Sequence, residues 1–540
     1  MSKKLYQAVQ ELIPLERFPW DEYFPTMAQG DWLEGSHEDK TVKSWFIRRT
    51  PFKGAYALLG GLTEALRQVN ELRFDTPEFQ EGMRSLGYRE EFLSLLAKDQ
   101  KLRIKIYAPD EGSAFFSNQP VVTVVGPKYH VRLIEGILTA TLNPGSLMLT
   151  KWHRVVRAAG KGGALDFGRR RAQNSTRSSI AAVSAGCVAT SNTQVGLALG
   201  VGAKGTMGHE EVQTHGDVFE AFDKWLSVYP DKPIGLVDTV RCMEIDFPAW
   251  LEAVYKHREA IKEANPPAWG WRNDSGDLSG LSVEQYAVFM EHPLASDSWF
   301  VDLLKIFNTN ELDEYKIVSI SGQITEYATA SGFDANEILR RIVWAAGTNP
   351  AVCSDDPALG GVMKIQECRD LASIKLAKDG AGRVGIKTSI PGFNFSAFLF
   401  DEKKLFRGVV VYPAYRYSVN ADGKLVDRFR DPDKQVLSKI QLFHPDSGSP
   451  DTIELGSYRL VQQQQLVFDT VDGDGFTDLW NDPTVADVQR AIHDTVGRLP
   501  RTMYRHDMPA EARLWVPDCL RRLRQAMIEG ERLLHQYPSY

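Results

Sequence analysis

The sequence predicts an α/β protein: an irregular TIM-like α/β barrel with an additional α+β domain built from the amino-terminal and carboxyl-terminal segments. Three observations predict it. Between about Gly163 and Lys364 a short apolar strand, a polar loop and an amphipathic helix alternate repeatedly, the rhythm of a parallel sheet covered by helices. Each of those strands runs into residues rich in charge, hydroxyls or glycine, and right-handed crossovers bring all strand carboxyl ends to one rim, where barrel active sites lie. The text on either side lacks this rhythm, and 540 residues exceed one ordinary core. The expected divisions are 1–150 for an amino-terminal α+β region, 151–370 for the barrel, and 371–540 for a carboxyl-terminal region packing in part with the amino-terminal domain.

Taken in order, residues from about Lys43 to Leu142 mix helix-period text, such as Gly61 to Val69, with the β-rich run Pro120 to Gly126. The barrel strands are expected at Ala164–Phe167, Gly202–Thr206, Ile234–Asp238, Ala268–Arg272, Tyr315–Ser319 and Ile342–Ala346. Between them, Val218, Phe219, Ala221, Phe222, Trp225 and Leu226 recur at helical spacing and predict a helix that buries one face against a sheet. After about Cys368 the alternation weakens. There Gly408–Tyr412 reads as β, and a closing helix is expected from about Ala512 to Leu534.

Composition narrows the function classes. With 43% hydrophobic and 25% charged residues the chain is an ordinary globular protein. Its formal net charge is −7 and no basic run exceeds Arg169-Arg170-Arg171, so a nucleic-acid surface is not expected and any bound anion must meet a local cluster. No stretch approaches the ~20 apolar residues of a membrane span, and the start resembles no signal peptide. Five cysteines without a C-x-x-C pair indicate neither a disulfide framework nor structural zinc, so a cytoplasmic location is expected. Neither a P-loop nor a dinucleotide fingerprint follows any strand.

The strand ends hold the chemistry-bearing residues. His209 follows Gly205-Thr-Met-Gly208, whose glycines let backbone amides approach a bound group, and precedes Glu210 and Glu211. It is a candidate acid or base. Arg169, Arg170 and Arg171 suit bidentate binding of phosphate oxygens, or form a solvated turn. Asn273-Asp274-Ser275-Gly276-Asp277 places two carboxylates in a turn fit for ribose hydroxyls or for Mg²⁺ held through water. The alternative there is an Asx-turn with Asp277 as a helix N-cap. Asp238 closes another strand in the same way. Asp355 to Gly361, with Lys364 beyond, is either a plain turn or a phosphate nest.

In combination and in order, these segments resemble the nicotinate phosphoribosyltransferase family over about residues 21 to 392. The resemblance rests on Asp21-Glu-Tyr-Phe-Pro-Thr-Met27, Pro51-Phe-Lys-Gly-Ala-Tyr56, Asp166-Phe-Gly-Arg-Arg-Arg-Ala-Gln173, Ala189-Thr-Ser-Asn192, Gly205-Thr-Met-Gly-His209, Leu236-Val-Asp-Thr239, Arg272-Asn-Asp-Ser-Gly-Asp277 and Pro357-Ala-Leu-Gly-Gly361. It implies transfer of phosphoribose from phosphoribosyl pyrophosphate to nicotinate, with Mg²⁺ and with ATP hydrolysis coupled through a phosphohistidine. By that resemblance His209 is the phosphorylated histidine. Tyr23 of a neighbouring subunit and Phe167 sandwich the pyridine in a homodimer with shared sites. Arg170 and Arg272 contact base and phosphate, with Arg171 beside them. Asp274 meets the ribose with Asp238 and Ser275 nearby, Asp277 serves the metal, and Gly322, Gly347 and Thr348 hold the 5′-phosphate. Related nicotinamide enzymes carry Asp at the place of Ser191, where a carboxylate would repel nicotinate, so Ser191 favours the acid. The sequence departs from the pattern at Glu210, Val188 and Trp344-Ala-Ala346. A nicotinamide or other pyridine enzyme and a non-catalytic mononucleotide binder are the alternatives.

Overall fold

The computed structural model describes residues 4–373, 389–414, 416–427, 440–443, 450–453, 458–505, 510–528 and 534–536. Among the described residues no helix is long and apolar enough to cross a membrane. The chain divides into two compact units, Met148–Asp355 and a second built from Met1–Leu147 with Asp356–Tyr540. The helix Lys128–Ala159 contributes residues to both.

Unit Met148–Asp355 is a mixed α/β structure around six parallel strands: β1 Ala164–Asp166, β2 Ala189–Thr190, β3 Ile234–Leu236, β4 Trp269–Asn273, β5 Leu304–Asn308 and β6 Ile342–Ala346. The hydrogen-bonded order is β2-β1-β6-β5-β4-β3. Neighbours in the chain therefore pair, and the first strand pairs with the last, as in barrel order. The exception is β2 with β3, which share no ladder among the described residues; the segment between them touches the sheet through one parallel bridge, Thr190 to Ala203. The strand expected at Gly202–Thr206 is thus reduced to that bridge, because three glycines in Gly200–Gly205 leave few side chains to pack.

On one side of this sheet Leu165, Ala189, Val343 and Ala345 form a small buried layer with Phe167 and Phe307 against it. Large aromatics fill the packing with the helices: Phe222 lies 5.2 Å from Trp250, and Phe247 4.8 Å from Trp271, ring centre to ring centre. The helix expected around Val218 to Leu226 is present as Val218–Val228, capped by Asp217, which accepts from Glu220 N at 2.9 Å.

One strand expectation fails outright. Tyr315–Ser319 is not a strand but the first turn and more of the helix Glu314–Ala330. Asp313 accepts from Lys316 N at 2.8 Å and caps it, and Ile317, Ile324 and Ala328 are buried at helical spacing. The strand is instead the preceding Leu304–Asn308, in which Leu304, Ile306 and Asn308 are buried in alternation. Glu314, fully buried, takes Lys151 Nζ at 2.7 Å and Arg154 Nε at 2.7 Å, and Lys151 also meets Asp355 at 2.8 Å. Burial pushes the Glu314 carboxyl up, but Lys151 and Arg154 outweigh it and hold it below the usual carboxylate range.

The other unit is built on two largely antiparallel sheets. In the larger, Lys40–Phe46 lies between Val122–Pro127 and Val362–Cys368, and strands from the later part of the chain flank the amino-terminal ones on both sides. The second sheet joins Asn394–Asp401, Phe406–Pro413, Ile440–Phe443, Pro450–Ile453, Tyr458–Gln462 and Leu514–Pro517 around a core that includes Leu399, Val410 and Tyr412. The closing segment expected as helix from Ala512 begins as the strand Leu514–Pro517, and the helix runs Asp518–Ile528.

Candidate active site

The carboxyl ends of β1 to β6 position the predicted residues. β4 ends in Asn273, and an amide network beneath the site fixes it. Gln285 Oε1 accepts from Trp271 Nε1 at 2.6 Å and Asn273 Nδ2 at 2.9 Å, and its own Nε2 donates to Asn273 Oδ1 at 2.9 Å. Asn273, Gln285 and Asn308 are all fully buried, so an unpaired member would be costly and the network holds the strand ends rigidly.

On that support sits the central cluster. Arg272 donates from one terminal nitrogen to Thr206 Oγ1 at 2.7 Å and from the other to Asp274 Oδ2 at 3.0 Å. Its Nε is buried and finds no hydrogen-bond acceptor among the described residues. Asp274 receives the Thr309 hydroxyl on its other oxygen. Burial pushes this carboxyl up, but the Thr309 hydroxyl, the Arg272 guanidinium and His209 together hold it below its ordinary value. His209 lies between two groups: Nδ1 is 3.1 Å from Thr239 Oγ1 and Nε2 is 3.6 Å from Asp274 Oδ2. Asp238 Oδ2 accepts from Asp274 N at 2.8 Å and from Ser275 Oγ at 2.6 Å, while its Oδ1 is buried with no hydrogen-bond partner among the described residues. That orphaned anionic oxygen is the kind of group a cation would satisfy.

A second group of residues gathers where β1, β2 and β6 end. Asp166, fully buried, accepts from Gly168 N at 2.8 Å and Thr190 Oγ1 at 2.7 Å, and its carbonyl accepts from Ser191 N at 2.7 Å. Phe167 N donates to Ala346 O at 2.8 Å, which ties the ring's backbone to the strand that leads into Gly347 and Thr348. Gly168 is required by close approach: a Cβ there would stand 2.6 Å from Ala351 Cβ and 3.2 Å from Gly347 O. Arg169, Arg170 and Arg171 are exposed in the turn that follows, Arg169 donating to Ser175 Oγ at 2.8 Å. Gly347 and Thr348 open the short helix Thr348–Val352.

Some predicted residues stand elsewhere. Gly322 lies inside the helix Glu314–Ala330, not in a loop after a strand, because the strand of this βα unit is Leu304–Asn308 and the Asp313 cap starts the helix before Gly322 is reached. The loop that does follow β5 is Thr309 to Leu312, with Asn310 and Glu311 both at positive φ (86° and 48°) and Glu311 O accepting from Asn349 Nδ2 at 2.7 Å. Such consecutive non-glycine residues are strained and cluster at functional sites. Asp277 caps the helix Leu278–Glu291, its Oδ1 taking Ser279 N at 3.1 Å and Ser279 Oγ at 2.5 Å. The N-cap reading of that residue therefore describes its geometry, and the metal role has no support from its contacts. Tyr23 begins the helix Tyr23–Leu33 in the other unit, half exposed, its ring 4.0 Å from that of Phe24. In the same unit Asp356 and Gly361 make packing contacts: Arg49 grips Asp356 with two bonds of 2.9 Å, and a Cβ on Gly361 would lie 2.2 Å from Asn143 Oδ1.

Thr206, Thr239, Thr309 and Asp166 carry no role in the sequence-based expectation, yet all four bond within these two groups. The signal for Thr309 was present: Thr-Asn-Glu-Leu-Asp-Glu314 after an apolar run is a strand end followed by a helix cap.

Residues 19–143 match the model of the nicotinate phosphoribosyltransferase N-terminal domain. Over 500 residues the chain is 26% identical to the nicotinate phosphoribosyltransferase of Bacillus subtilis, covering 91% of each. It is 27% identical over 427 residues to that of Dictyostelium discoideum, covering 71% of this chain and 68% of the relative. The fold is similar to the crystal structure of human nicotinic acid phosphoribosyltransferase, with a TM-score of 0.71 at 21% identity over 95% of this chain and 99% of that one.

Proposed function

The chain belongs to the nicotinate phosphoribosyltransferase family, and from that premise we propose that it joins nicotinate to phosphoribosyl pyrophosphate in NAD biosynthesis, giving nicotinate mononucleotide and pyrophosphate. The observation that carries this reading is the bonded cluster Thr206–Arg272–Asp274–Thr309, with His209 and Asp238 against it.

The reaction needs no side-chain nucleophile. The pyridine nitrogen attacks C1 of the ribose as the C1–oxygen bond breaks, and the electron pair leaves on pyrophosphate. Positive charge grows on the sugar and negative charge on the leaving group, so preorganised charges are what lower the barrier. Arg272 is held from two sides by Thr206 and Asp274, and its unused Nε is available to the departing oxygens. Asp274, kept ionised, accepts from ribose hydroxyls. Phe167 offers a ring to the pyridine, and Tyr23, half exposed, is suited to complete a stack in a neighbouring copy of a homodimer. Ser191 offers a hydroxyl where an Asp would repel the nicotinate carboxylate, so the acid is the preferred substrate over nicotinamide.

Mg²⁺ fits best at Asp238, whose inner oxygen is unsatisfied, and not at Asp277, whose carboxylate caps a helix. Bound there it would supply charge neutralisation for pyrophosphate oxygens. ATP is the co-substrate in this reading. His209, oriented by Thr239 and flanked by Asp274, takes its γ-phosphoryl group, Nε2 or Nδ1 forming the N–P bond as ADP departs.

The purified protein, given nicotinate, phosphoribosyl pyrophosphate, Mg²⁺ and ATP, should release pyrophosphate and nicotinate mononucleotide. Arg272→Gln should lower kcat/KM by about 10²- to 10³-fold. A wild type that forms no mononucleotide overturns the reading. Acid-labile label from γ-labelled ATP should appear on the wild type and vanish in His209→Ala; absence of label from an active wild type would remove the histidine role while leaving the transfer.

A further inference from the structure

Beyond β3 the chain reaches a carboxyl group that the cluster above does not use. Asp246 is fully buried, and its Oδ1 has no hydrogen-bond partner among the described residues. Its Oδ2 accepts from Val240 N at 2.7 Å. A buried carboxyl left half unsatisfied costs stability, and what this one secures is the backbone of the residue next to Thr239.

Residues 238–241 form the rim beside His209. Asp238, at their start, is fixed by Asp274 N and Ser275 Oγ. The side chains of Val240 and Arg241 are exposed, so packing does not hold the backbone there. Thr239 lies between these two regimes, and its β-branched side chain has few rotamers, so the hydroxyl that meets His209 Nδ1 at 3.1 Å goes where its backbone goes. The turn Cys242–Asp246 supplies the hold. Ile245 N and Asp246 N both donate to Arg241 O at 3.0 Å, the wider spacing of a π-helical turn, a form frequent at functional sites. With the bond from Val240 N to Asp246 Oδ2, they clasp residues 240 and 241. The turn itself is anchored from below: Gln285 Nε2 donates to Cys242 Sγ at 3.3 Å, and the Phe247 ring packs 4.8 Å from that of Trp271. Gln285 and Trp271 belong to the amide network under β4, so the clasp ties the rim beside His209 to the rigid part of the site.

We propose that Asp246 is a positioning residue for His209: by holding Val240 N it keeps the Thr239 hydroxyl on Nδ1, where it accepts the imidazole proton's hydrogen bond and leaves Nε2 unprotonated and presented to the site. The kinetic consequence rests on the reading of His209 as phosphoryl acceptor. The Nε2 lone pair attacks the γ-phosphorus of ATP as the P–O bond to ADP breaks, ADP carries off the electron pair, and the ring proton stays on Nδ1. Asp238 has its own bonds to Asp274 and Ser275. Loss of the clasp therefore loosens Thr239 without dislodging Asp238, and phosphorylation of the histidine suffers while phosphoribosyl transfer does not.

The test uses the full chain with γ-labelled ATP, and separately with nicotinate and phosphoribosyl pyrophosphate in the absence of ATP. Asp246→Ala should slow the appearance of acid-labile label about threefold to tenfold, the worth of one hydrogen bond, with mononucleotide formation without ATP unchanged. Asp246→Asn keeps an oxygen for Val240 N and should label at the wild-type rate, even though its buried amide lowers the melting temperature. Val240→Pro deletes the donor from the other side and should reproduce the Asp246→Ala loss, which tests the bond even where Asp246→Ala fails to fold. Adding Thr239→Val to Asp246→Ala should cost nothing further, since both act through one contact. Nitrogen-15 NMR of histidine-labelled protein, with His209 assigned by its disappearance in His209→Gln, should show the Nδ1-protonated ring in the wild type and in Asp246→Asn, and a mixture of ring forms in Asp246→Ala and Val240→Pro. Equal losses in Asp246→Asn and Asp246→Ala, additive losses with Thr239→Val, or a ring signal unchanged by every variant would each overturn the proposal. A wild type that takes no label removes the phosphoryl role of the histidine, and the ring signal then decides the clasp by itself.

Discussion

His153 supplies a quantitative prediction. It is buried in the helix Lys128–Ala159, and burial first, then the neighbouring Arg157 and Arg154 cations, push its imidazole down to about 3 from an ordinary 6.5. A group whose folded pKa is depressed contributes stability in full above its unfolded pKa and loses it as pH falls. The unfolded chain takes up a proton below about 6.5 that the folded chain refuses down to about 3. Each pH unit across that window therefore costs about 1.4 kcal/mol, or about 2 kcal/mol by pH ~5. His130 and His292 are shifted in the same direction, by burial before any partner, so the whole protein should lose stability faster than one residue requires. The decisive measurement is a difference. Urea midpoints followed by circular dichroism from about pH 7.5 to about pH 5 should fall less steeply in His153→Gln than in the wild type, by that ~2 kcal/mol. Whatever packing the substitution disturbs acts equally at both pH values. Parallel curves would refute the argument that this imidazole stays neutral in the fold.

Two further outcomes follow from the site. Thr309→Val keeps the shape but removes the hydroxyl that Asp274 receives; steady-state kinetics should show kcat reduced about tenfold with KM nearly constant, and Thr309→Ser should restore it, since an unmet hydrogen bond to a charged group is worth about 1.5–3 kcal/mol. Gly168→Ala must displace Ala351 or the Gly347 backbone, so thermal denaturation should report a loss of about 1–3 kcal/mol and KM for phosphoribosyl pyrophosphate should rise.

Much of this site could be read from residue order. Arg272, Asp274, Ser275, Asp238 and His209 meet because the carboxyl ends of parallel strands meet, and a periodic pattern is enough to place those ends. Gly322 was misplaced for the same reason in reverse: Tyr315-Lys-Ile-Val-Ser319 has the β-branched look of a strand, but Asp313 at its start caps a helix and tertiary packing decides for the cap. Asp277 shows a different limit. Its pattern fits a cap and a metal ligand equally well, and the fold shows the cap, with Ser279 N and Oγ both donating to Oδ1. Thr206, Thr239 and Thr309 escape a linear reading because each acts on a residue far away in sequence, 66, 30 and 35 positions from its partner.

The missing ladder between β2 and β3 divides stiffness unevenly across the site. Arg272 and Asp274 belong to or adjoin β4, a strand bonded along both edges, by β3 and by β5. The stretch that ends in His209 meets the sheet at one bridge, and two side-chain bonds, Thr206 to Arg272 and His209 to Thr239, moor it over the rim. An anion that takes over the Arg272 nitrogen now held by Thr206 casts off one of those moorings. Occupancy of the rigid half then becomes, through a single exchanged hydrogen bond, a change in the freedom of the histidine.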